Sequence, residues 1–144
     1  MSYSQHIALV CSIFLFIGCS QEENASQISY EIIQEAYFSY SVEEKIPSQF
    51  RVFRNEDEWD NFIQEIDRID ATQTENLKNL DFDFTNNNLI IVIGEFYNSC
   101  CSEITINAVF ENNNTIRVDF SESGPGEATA LSQAYLILKT KKNL

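Results

Sequence analysis

The 144-residue sequence predicts an α+β domain, an antiparallel β-sheet of about five to seven strands packed against one amphipathic helix. Three observations predict it. Several segments alternate apolar and polar residues with period two, the mark of half-buried strands. One segment carries an apolar stripe at helical spacing. Leu89-Ile90-Ile91-Val92-Ile93 is an unbroken apolar run rich in β-branched residues, as expected of a strand buried on both faces.

Each element has its own signal. From Tyr30, the even positions Ile32, Ala36, Phe38, Tyr40 and Val42 are apolar, while Glu31, Glu35 and Glu43 fall on odd ones. Lys45-Ile46-Pro47-Ser48 is a turn, because proline lacks a donor and turns its predecessor away from helix. Gln49 to Arg54 is a second strand carrying Phe50, Val52 and Phe53. Asn55 then caps a helix whose first turn holds Glu56, Asp57 and Glu58 against the positive end of the dipole, with Glu58 in the capping-box position. Trp59, Phe62, Ile63, Ile66 and Ile69 form its stripe, so Trp59 reads as a core anchor. Residues 71–80 are polar and fit no period. Ile104, Ile106, Ala108 and Phe110, then Ile116, Val118 and Phe120, flank Asn112 to Asn114 and make a hairpin. Residues 122–133, around Gly124-Pro125-Gly126, form a long loop of the kind that often carries function. Ala134-Tyr135-Leu136-Ile137-Leu138 is the closing strand.

The N-terminus is a targeting segment. Ile7 to Gly18 reads IALVCSIFLFIG, without charge. It is shorter than the ~20 apolar residues that span a bilayer and suits the apolar region of a signal peptide. Phe16-Ile17-Gly18-Cys19 resembles a bacterial lipobox, in which the cysteine is diacylated and the signal cleaved before it. Phe16 stands where leucine is usual, and only His6 precedes the run where lysine or arginine is common. Residues 1–18 are therefore a signal peptide, 19–28 a lipidated cysteine with an acidic tether, and 29–144 one domain. Ser20-Gln21-Glu22-Glu23 looks like the surface-export signal of Bacteroidota lipoproteins. The expected location is the outer membrane, by lipid anchor.

Composition excludes more than it suggests. Net charge is −13, and no basic stripe interrupts it, so nucleic acid is not a partner. Lys139, Lys141 and Lys142 read as a frayed, solvated end. The sole histidine, His6, and the sole methionine, Met1, leave with the signal. The mature chain then lacks the bases of Ser-His-Asp and Cys-His pairs, histidine for zinc and methionine for copper. No cofactor is expected.

The region from Gln49 to Lys142 resembles the PrcB-like family of small exported proteins, named for a subunit of a surface protease complex. The resemblance rests on Phe53-Arg54 closing a strand, Glu58-Trp59 and Phe62 on the helix, Asp83-Phe84 before the apolar strand, Gly94 after it, and Gln133 to Lys139 at the end. The family's Thr-Gly-Gly-aromatic loop is here Ser99-Cys100-Cys101-Ser102, and Ala134 replaces its proline. The resemblance implies a non-catalytic binding or accessory subunit rather than a reaction.

Cys100-Cys101 is the one unusual chemical feature. Adjacent α-carbons lie ~3.8 Å apart, below the usual disulfide span of about 4.4 to 6.8 Å. A vicinal disulfide, two free thiols, an intermolecular bridge and a metal site remain open. The alternative function is a small hydrolase or thiol enzyme using Cys100 and Cys101 or carboxylates such as Asp81, Asp83 and Glu56 to Asp60. The thiol version lacks a histidine base, and the carboxylates lack calcium-loop spacing. Gly124-Pro125-Gly126 is a partner-loop candidate.

Overall fold

A computed structural model of the chain describes residues 25–39, 45–99, 101–124, 126–127 and 129–143. The protein is α+β, with seven strands in two antiparallel sheets. The strands are β1 (Ser26–Gln27), β2 (Tyr30–Ser39), β3 (Gln49–Phe53), β4 (Asn87–Tyr97), β5 (Ile104–Asn112), β6 (Thr115–Glu122) and β7 (Ser132–Lys141). The main helix, α1, spans Glu56–Asp70; a 3-10 turn (Ala71–Gln73) and the short α2 (Glu75–Lys78) follow it.

The strands do not form the single sheet expected. β2-β7-β4-β3 is one sheet and β1-β5-β6 another. The cause lies in β4 and β7, which are apolar on both faces and need a cover on each. Leu89, Ile91, Ile93, Tyr135 and Ile137 face α1 with Trp59, Phe62 and Ile66. Ile90, Val92, Leu136 and Leu138 face the small sheet, against Ile106, Val109, Ile116 and Val118. The result is three layers: helix, four-stranded sheet, three-stranded sheet.

Local signals place α1 as expected. Asn55 Oδ1 accepts from Glu58 N at 2.9 Å, and Glu58 Oε2 accepts from Arg54 N at 2.7 Å. This is a capping box displaced by one residue on its return bond. Trp59 is buried, edge-on to Phe53 at 5.0 Å and stacked on Phe62 at 5.6 Å.

Three bulges alter the faces read from alternation, since one inserted residue turns every later side chain over. In β2 the register shifts between Ile32 and Gln34. Ile32 is left 48% exposed, while Ile33, Ala36 and Phe38 pack beneath α1. In β5 the shift falls between Ile106 and Ala108, so Val109 enters the core. Phe110 is only half-buried, with the Arg117 guanidinium 5.0 Å from its ring centre. β4 shifts between Ile93 and Phe96.

Two expectations at the chain ends change. The segment read as tether meets the fold before residue 28, because Ser26 and Gln27 pair with Glu111 and Phe110. The basic end is not frayed: Lys139 and Lys141 belong to β7, and Lys142 Nζ donates to the carbonyls of Arg54 and Phe84.

Asn113 and Asn114 turn the β5–β6 hairpin with φ of 46° and 65°. Left-handed conformation at both loop residues belongs to the tight turn that matches strand twist. Asn114→Val is expected to cost about 1–2 kcal/mol, the penalty of a side chain that disfavours positive φ. Asn114→Gly should hold or raise the urea midpoint. Equal midpoints for the valine and glycine variants would contradict this turn assignment.

Candidate functional site

Strand direction sorts the loops to two ends. Ser26 sits beside Glu111, next to the hairpin turn, so the chain enters the domain there. The β2–β3, β4–β5 and β6–β7 connections gather at the opposite end.

That loop end is organised around two polar side chains. Gln133 is buried, and its Nε2 donates to the carbonyls of Ile46 and Gly94, each at 2.8 Å. It ties the β2–β3 connection to the β4 bulge. Glu122, paired with Ile104, lays its carboxylate over Gly94 and accepts from Glu95 N at 2.8 Å. A β-carbon at Gly94 would collide with Glu122 Oε1, so glycine is what lets the carboxylate approach. Ser102, just before β5, and Ser132, the first residue of β7, are also buried. The Tyr97 hydroxyl is held above the usual phenol range by desolvation and by Glu122 and Glu95; Tyr37 is raised by desolvation, Glu103 and Glu35.

Cys101 lies at this end. Cys101 is disulfide-bonded, so it is not the free thiol of one sequence reading. Cys100, Cys19 and Cys11 lie outside the described residues, as do Ser20, Gln21, Glu22, Glu23 and Pro125. Gly124 and Gly126 are exposed.

A second feature runs along α1. Glu56, Asp60, Gln64 and Asp67 line one flank of the helix, facing the segment that carries Asp81 and Phe82. Between them is a groove of about 370 Å³. Its apolar floor includes buried Trp59 and Ile63 and half-buried Leu80, Phe82 and Phe84. Phe82 and Phe84 meet edge-on, ring centres 4.7 Å apart. One end is closed by Lys78 Nζ, 2.7 Å from Asp67 Oδ2, and by Thr74 Oγ1 donating to Asp67 Oδ1. Hydrogen bonds from Lys78 and then Thr74 hold the Asp67 carboxyl below its usual range.

Of the carboxylates in the hydrolase reading, Glu56, Asp60 and Asp81 line the groove together and Asp83 stands apart. Asp81 faces the groove, whereas Asp83 Oδ1 accepts from Thr85 N at 2.8 Å and Oδ2 from Asn86 Nδ2 at 3.3 Å. Asp83 is a turn residue, its pKa lowered first by the Thr85 backbone. Among the described residues, no three of His, Cys, Asp or Glu are grouped to hold a metal ion. Among the same residues, no helix is long and apolar enough to cross a membrane.

The apolar stripe of α1 gives no sign of the groove, because Asp60, Gln64 and Asp67 lie off it. The signal was the alternation of Leu80, Phe82 and Phe84 through a segment without regular structure. Comparison with known proteins finds no matching family model, no matching curated protein and no matching solved structure.

Proposed function

We propose that the chain is an exported lipoprotein, held at the outer membrane through lipidated Cys19, whose domain is a non-catalytic binding or accessory subunit of the PrcB-like kind. Its partner is another envelope protein, such as a surface protease. The observation that carries the reading is the uncharged run from Ile7 to Gly18 closing on Cys19. Residues 20–24 then bridge Cys19 to the described chain, and Ser26 enters at the hairpin-turn end. An anchor there leaves the β4–β5 and β6–β7 connections directed away from the bilayer. Binding rather than catalysis is favoured by how the reactive groups are used. Cys101 is bridged, and Asp67 and Asp83 are occupied by structural hydrogen bonds.

Metabolic labelling with a fatty acid tests the anchor. Wild-type protein is expected to take up label, lose residues 1–18 and partition into detergent. Cys19→Ser should remain uncleaved and unlabelled. Label on the serine variant would overturn the reading.

A further inference from the structure

We propose that the groove along α1 docks a segment of a partner protein that carries lysine or arginine beside aliphatic or aromatic side chains. This deepens the binding-subunit reading by naming the chemistry of the partner, and it rests on that reading. The floor calls for apolar contacts: Phe82 and Phe84 are half-buried aromatics that a docked side chain would cover, with Trp59 and Ile63 beneath. The rim calls for cations. Glu56, Asp60 and Asp81 make no ion pair or side-chain hydrogen bond among the described residues. Lys78, the one cation among the described lining residues, is committed to Asp67. An anionic rim over an apolar floor gives orientation from charge and retention from burial. The net charge of −13 raises the encounter rate with a cationic segment.

A second copy of the chain suits the groove poorly, because it carries the same net charge of −13 and most of its nine cations, Arg68 and Lys141 apart, are engaged among the described residues. Arg51 and Lys139 sit in ion pairs with Glu65 and Glu31. Lys45 lies 3.7 Å from the Phe96 ring centre and Arg117 rests on Phe110. Arg54 donates to the Asn114 carbonyl and Lys142 to two others. Charge therefore favours a different chain as the occupant.

Trp59 is the only tryptophan, so its fluorescence reports the groove directly. Detergent-solubilised full-length protein is titrated with three synthetic peptides: one alternating lysine with leucine, an analogue with glutamate for lysine, and oligolysine. The lysine–leucine peptide is expected to shift Trp59 emission saturably. The glutamate analogue should not, and oligolysine should bind at least about tenfold more weakly for want of apolar contact. Asp60→Asn with Asp81→Asn should weaken the lysine–leucine peptide about tenfold at unchanged melting temperature. Glu95→Gln with Glu103→Gln, which removes the same charge elsewhere, should leave it unchanged. Equal binding by oligolysine, equal loss in both double variants, or no binding would overturn the proposal. So would a Trp59 change that depends on protein concentration alone, which would mark self-association. These measurements do not depend on acylation, so their failure is separable from that of the Cys19 assignment.

Discussion

Trp59→Ala is expected to remove about 3–5 kcal/mol of folding stability, the range for emptying a buried large aromatic site. The indole is 4% exposed and lies between Phe53 and Phe62, so its loss leaves a void that two rings on different elements line. Those rings belong to β3 and α1, which offer little freedom to collapse inward. A domain of this size has only about 5–15 kcal/mol in total. Urea unfolding should therefore show a much lower midpoint, and Trp59→Phe should recover much of the loss by refilling the volume. An alanine midpoint equal to wild type would show that the helix does not rest on this residue.

Gln133→Leu is the second large effect, and it isolates hydrogen bonding from volume. Leucine nearly fills the space of the amide but donates nothing. The carbonyls of Ile46 and Gly94 would lose the Gln133 donor, and a buried group left unpaired costs roughly 1–3 kcal/mol. The expected loss is about 2–5 kcal/mol if both carbonyls stay buried. It should be accompanied by faster hydrogen exchange in residues 45–48 and 93–96, because Gln133 is the tie between them. A Leu variant with wild-type stability and exchange would mean that the two carbonyls find other donors.

Both effects illustrate different degrees of legibility. Trp59 was readable because the stripe through Phe62, Ile63, Ile66 and Ile69 leaves one face for the core, and the Asn55 cap fixes where the helix starts. In the sequence Gln133 reads only as the last residue of the long loop before the closing strand. That its amide ties the β2–β3 connection to β4 depends on the β4 bulge, which brings the Gly94 carbonyl within its reach.

The sequence by itself determined the class of each element and the local chemistry of its ends. The capped helix, the doubly buried Leu89 to Ile93, the Asn-Asn hairpin turn and the closing strand all follow from interactions within a few residues. The lipobox-like stretch is likewise local, and lies outside the described residues. Tertiary structure alone decided what covers what. Period-two alternation cannot register a bulge, so Ile32 and Phe110 were read as inward, and Val109 was missed. A strand buried on both faces announces two covers but not their identity, so the division into two sheets emerges only from pairing. The α1 groove arises for the same reason. Its carboxylates and its aromatic floor are brought together by packing the 80–84 segment against the helix, a contact that no spacing in the sequence encodes.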